Sequence, residues 1–143
     1  THGTAVIKGN CCTGKCTMSR YKMFRHFKDV TDGLSNTLFV GEKHVHPDHF
    51  GEKDWGDNSF FNDNYLASFT RRGGPALPIM GSPTDPTVPQ DEQRNNFGSA
   101  HPGGICQFVL ADGSVRGISA SIDGNILGWL IHISDGNLTK GDF

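Results

Sequence analysis

The chain has 143 residues, a formal net charge of −2 and only 35% hydrophobic residues, enough for one ordinary core and no more. That charge leaves no basic footprint for nucleic acid, and the longest apolar run, from Ile126 to Ile131, falls far short of the roughly 18 residues that a membrane span requires. Nineteen residues are glycine, nearly twice the usual share of about 7%, so many turns and short strands are expected.

In chain order, Thr4 to Lys8 reads as a short strand closed by Gly9-Asn10, and Tyr21 to Phe27 alternates well enough for another. Asp29 to Asn36 is a turn or a single helical turn, followed by a strand from Thr37 to about His46. Residues 47–104 carry little periodicity and many breakers, including Gly73-Gly74-Pro75 and Ser82-Pro83-Thr84-Asp85-Pro86-Thr87-Val88-Pro89. A loop-rich insertion is predicted there, with 82–89 either a plain extended linker or an exposed segment for O-linked sugar.

The most ordered signal is the hairpin over residues 97–118. Pro102-Gly103-Gly104 supplies a fixed φ and two residues free to take positive φ, Phe108 to Ala111 is apolar, and Asp112-Gly113 suits a two-residue reversal. Beyond it, Asp123 can cap a helix with Ile126, Leu127, Leu130 and Ile131 on one face, ended by Gly136.

Two blocks carry a resemblance. His101-Pro102-Gly103-Gly104, an apolar strand and Ala111-Asp112-Gly113-Ser114-Val115-Arg116 resemble the carboxy-terminal signature of the planctomycete-type prepilin-like family. Asp29-Val30-Thr31-Asp32-Gly33-Leu34-Ser35-Asn36-Thr37-Leu38-Phe39-Val40-Gly41-Glu42 resembles that family's central "DITDGTSNT…VGE" segment. The resemblance implies a secreted, pilin-like structural protein. The fold class expected is therefore α+β: one pilin-like globular domain over residues 1–143, with a twisted antiparallel sheet, long loops and a short C-terminal helix. Two departures stand out. The signature has nine residues between His and Asp-Gly where this chain has ten, which predicts a β-bulge at Ile105 or a neighbour. The family also opens with a prepilin cleavage site and a long apolar helix, whereas this sequence opens Thr1-His2-Gly3-Thr4.

Cys11, Cys12, Cys16 and Cys106 are even in number and three are crowded together. They read as one or two disulfides in an oxidising compartment, against free thiols or a zinc site; the paired Cys-x-x-Cys knuckles of typical zinc sites are missing. Adjacent cysteines rarely bond each other, so Cys11 and Cys12 are each expected to pair with Cys16 or Cys106.

Two clusters suit metal. On an extended strand Glu42, His44 and His46 share a face and His49 could fold back as a fourth ligand of a divalent ion; the plain alternative is a solvated strand end. Asp54, Asp57, Asn58 and Asp63 gather oxygen ligands suited to calcium, or simply the residues a turn uses. Trp55, Phe60, Phe61, Tyr65 and Phe69 offer a glycan platform or pin the loop to the core. Asn137-Leu138-Thr139 is a glycosylation sequon. His101 is expected to bond a neighbouring backbone carbonyl.

No nucleophile elbow, phosphate-binding loop or dinucleotide fingerprint occurs, so no enzyme is expected. The function expected is an extracellular or cell-surface subunit that associates with itself into a filament or pseudopilus, with the apolar face of its sheet covered by a neighbouring subunit, by an exchanged amino-terminal segment such as Thr4-Ala5-Val6-Ile7, or by the 123–133 helix folding back; the alternative is a monomeric secreted module binding a divalent metal, calcium included, or a glycan.

Overall fold

The apolar run after Pro102-Gly103-Gly104 becomes the central strand of a three-stranded antiparallel sheet ordered β1 (Leu38–Gly41), β2 (Ile105–Leu110), β3 (Val115–Ser119). The structure is a computed structural model, and it describes residues 26–52, 55, 57, 70–137, 139 and 143. The strand expected over 4–8 and residues 21–25 of the one expected from Tyr21 to Phe27 lie outside the described residues; Phe27 itself opens a 3₁₀ turn, Phe27–Asp29.

β2 pairs with β3 without interruption from Ile105↔Ser119 to Val109↔Val115, so the bulge expected at Ile105 is not there. The irregularity lies in β1, between Leu38↔Leu110 and Val40↔Val109. Phe39 is the additional residue, and its ring meets Phe27 at 6.5 Å between centroids. The slip keeps Leu38 inward while turning Val40 to the outside. β1 also stops at Gly41, shorter than the strand expected to His46, with Lys43↔Phe97 as a single further bridge.

The reversal between β2 and β3 is one residue longer than the two-residue turn expected. Gly113 N donates to Leu110 O at 2.9 Å, and Leu110 N donates to Ser114 O at 2.8 Å, enclosing Ala111, Asp112 and Gly113. No non-glycine residue among those described has positive φ, and Gly113 sits at +87°. A type I′ turn needs positive φ at both central positions, so the loop is of the three-residue kind that ends on a left-handed glycine. Asp112 Oδ1 braces it by accepting from Ser114 N at 2.8 Å and Ser114 Oγ at 2.7 Å.

The expected helix forms as Gly124–Ile131, preceded in chain order by a one-turn helix, Gln90–Gln93; we call these α2 and α1. Asp123 Oδ1 accepts from Asn125 N and Ile126 N, satisfying two of the orphan donors at a helix start. α2 ends at Ile131, with His132 already extended; Gly136, expected as its stop, takes its positive φ in the following turn. Leu127 and Leu130 pack with Cys106, Phe108, Leu110 and Ile118 of the sheet, joined by Leu38, Ile79 and Phe97. Of the loop-rich stretch, the described part from 70 to 104 is tied to itself by single bridges, Arg72↔Asn96 and Met80↔Gly98 among them, and to the chain after β1 by Lys43↔Phe97. The result is a small α+β arrangement with one sheet face covered by α2 and the loops.

Candidate functional site

The two sequence blocks lock together. Gly33 takes φ +97°, which only glycine adopts freely, and lets Thr31 to Thr37 close on itself: Asn36 N and Thr37 Oγ1 both donate to Gly33 O, and Asn36 Nδ2 donates to Asp32 O. The outward carbonyls of this turn then receive the hairpin loop, Ala111 N on Thr37 O at 2.8 Å and Asp112 N on Leu34 O at 3.1 Å.

Glu42 makes the second junction. Its Oε2 accepts from Gln107 N at 2.7 Å and its Oε1 pairs with His101 Nε2 at 2.9 Å, while its backbone bonds Gln107 O and receives Gly98 N. His101 therefore reaches a carboxylate 59 residues away rather than the neighbouring carbonyl expected. Its own turn is held by Ser99 Oγ, which donates to Ile105 O at 2.6 Å, and by Gly104 N on His101 O, with Gly103 and Gly104 at φ +83° and +64°. Gly41, just before Glu42, is required for a different reason: a side chain there would run into the rings of Phe108 and Phe97.

The first expected metal set is dispersed. Glu42 is occupied as described. His44 is buried, 2% exposed, and its Nε2 meets Gln93 Oε1 at 3.0 Å; Gln93 is itself fixed through Nε2 to Asp85 O and Val88 O. Burial pushes the His44 pKa down, favouring the neutral ring. Above it, Arg71 Nη2 donates to His44 O at 3.1 Å, and burial lowers the guanidinium pKa to about 10. His46 Nδ1 faces Asp48 N and Gln90 Nε2. His49 meets Glu52 at 2.8 Å and stacks on Trp55 with centroids 3.8 Å apart. The period-two argument fails because the chain leaves strand geometry after Gly41, so Glu42, His44 and His46 take separate partners, although the rings of His46 and His49 stay 5.8 Å apart between centroids.

Of the calcium set, Asp57 is bound by Lys43 Nζ at 2.9 Å and Gly51 N at 2.8 Å, and the Lys43 contact holds its carboxyl below the usual range. Asp54, Asn58 and Asp63 lie outside the described residues, as do Phe60, Phe61, Tyr65 and Phe69 and the cysteines at 11, 12 and 16. Among the described residues Cys106 is a free thiol; it is fully buried on the inner face of β2, and burial raises its pKa to about 12, while the partners expected for it lie outside the described residues. Asn137 is exposed, its N–H held by Asp135 Oδ1 at 2.9 Å.

Sequence reading missed one cluster. Asp32, His132 and Asp135 bring ligand atoms within 4.8 Å of one another. Asp32 reads as a turn residue, and no spacing rule links it to residues a hundred positions later.

The class defined by these features is a small α+β domain with a three-stranded sheet, in which the turn leading into β1 and the loop leaving β2 are hydrogen-bonded to each other. The family model described as SBP_bac_10, "Protein of unknown function (DUF1559)", matches residues 12–125, and the chain belongs to that family, one of planctomycete-type prepilin-like proteins. No curated protein and no solved structure matched it. Among the described residues, no helix is long and apolar enough to cross a membrane.

Proposed function

We propose that this protein is a pilin-like structural subunit acting outside the cell, in which a second copy covers the outer face of the sheet and the contact propagates into a filament or pseudopilus. The observation that carries the reading is a cross-strand apolar row on that face. Val40 opposes Val109 and Val109 opposes Val115, so the three side chains stand side by side across all three strands. Val40 is 50% exposed and Val115 65%. At the start of β1, Phe27, 63% exposed, adds a second apolar contact with Phe39. Apolar surface that is contiguous rather than scattered marks an interaction face, and a head-to-tail contact that does not close yields filaments.

Membership of a prepilin-like family supports the same reading, as does the nature of the candidate residues. Glu42 and Asp32 accept from backbone N–H groups of the protein itself and His101 pairs with Glu42, contacts that hold the scaffold together. Replacing Val40 and Val115 together by glutamate tests the proposal. Light scattering and negative-stain imaging should show assemblies for the natural chain and monodisperse particles for the variant. A natural chain that stays monomeric at high concentration, or a variant that assembles equally well, overturns it.

A further inference from the structure

We propose that Asp32, His132 and Asp135 form a binding site for one transition-metal dication of the zinc type, placed where the chain leaving α2 returns to the Asp32-Gly33 turn. The site is independent of the apolar face and is built from residues at opposite ends of the described chain. Asp32 is 4% exposed. Its Oδ2 accepts from Asp135 N at 2.7 Å and its Oδ1 from Gly136 N at 3.0 Å, while Thr31 N donates to Ile133 O at 2.8 Å. These bonds fix the relative position of the two segments. A carboxylate oxygen has two lone pairs, so each oxygen of Asp32 keeps one after receiving its N–H.

Two observations point from this geometry to a cation. One ring nitrogen of His132 and one oxygen each of Asp32 and Asp135 lie within 4.8 Å of one another, yet among the described residues no ion pair joins the ring to either carboxylate. Donors at about 2.0–2.2 Å from a shared zinc ion are separated by roughly 3–4 Å, and separations of no more than 4.8 Å bring these three atoms to the scale of a coordination shell. The second observation is that His132 Nδ1 is buried and has no hydrogen-bond partner among the described residues. A buried polar atom without a partner forfeits its hydration with nothing in exchange. Two carboxylates drawn together with an unsatisfied imidazole are offset at once by a dication among them. The donor set, one nitrogen and two carboxylates, selects the metal: imidazole suits zinc and its neighbours, whereas calcium prefers an all-oxygen shell of six to eight ligands.

The test uses the full chain, stripped with a chelator and titrated with Zn²⁺ and separately with Ca²⁺ by calorimetry, with thermal unfolding followed in parallel. One Zn²⁺ should bind per chain and raise the unfolding temperature, and Ca²⁺ should bind more weakly. His132→Ala and Asp135→Asn should each weaken Zn²⁺ binding by about tenfold or more, the scale of a lost contact worth 1.4 kcal/mol. The paired change His46→Gln with His49→Gln, which removes the other partly accessible histidines near Trp55, should leave binding intact. Asp32→Asn also loosens the turn, so the deciding variants are those at His132 and Asp135, which lie nearer the surface. Absence of Zn²⁺ binding, binding unchanged in His132→Ala, or tighter binding of Ca²⁺ than Zn²⁺ overturns the proposal.

Discussion

The two faces of the sheet are made by the same three strands and have opposite fates. On the inner face Cys106, Phe108, Leu110 and Ile118 are at most 1% exposed and packed under α2. On the outer face the row Val40, Val109, Val115 is apolar too, yet its two edge members are at least half exposed. Alternation along a strand normally separates apolar from polar; here both alternating sets are apolar at one end of the sheet. The inner set explains why the domain folds, and the outer set is surface that folding alone leaves in contact with water.

The sharpest way to break this contrast is to empty the inner face. Phe108→Ala removes a buried ring that touches Phe97 edge-on at 5.1 Å between centroids and should cost about 3–5 kcal/mol, read as a lowered denaturation midpoint. Next comes the junction between the two motif turns. Glu42→Ala strips the acceptor from Gln107 N and the partner from His101 and should cost about 1.5–3 kcal/mol; His101→Ala, which leaves the Gln107 bond in place, should cost clearly less.

Gly113→Val places a β-branched residue at φ +87°, a conformation such residues resist by about 1–3 kcal/mol. Nothing lies within 4 Å of the position a Cβ would take there, so the loss would come from backbone strain alone, and Gly113→Asn should recover much of it.

A smaller effect is expected from pH. His44 has its folded pKa lowered from 6.5 by burial, so the unfolded chain takes up the proton first and stability falls as pH drops below about 6.5. Cys106 is raised from 9.0 to about 12 by burial, so the unfolded chain loses its proton first and stability falls as pH climbs above about 9. Denaturation midpoints across pH should show both limbs, with the acid limb flattened in His44→Gln.

The least effect on folding belongs to the outer face: Val115→Glu should change stability by no more than about 0.5 kcal/mol. A loss comparable to that of Phe108→Ala would mean that the outer row is part of the core, and the contrast between the faces would collapse.

What the sequence determined by itself is local. The hairpin, the positive φ at Gly103, Gly104 and Gly113, the Asp123 cap and the apolar stripe of α2 depend on residues within a few positions of one another, where turn chemistry and side-chain period suffice. Even there the turn length was set by the third residue, because Ala111 and Asp112 avoid positive φ and leave Gly113 to absorb it. The tertiary structure alone decided everything joined across long separations: that Glu42 meets His101 and Gln107, that Gln93 draws His44 into the interior, that Cys106 faces the core, and that Asp32 sits beside His132 and Asp135. The physical reason is register. A slip of one residue, such as the one at Phe39, exchanges the two faces of a strand, and no spacing in the sequence announces where that slip falls.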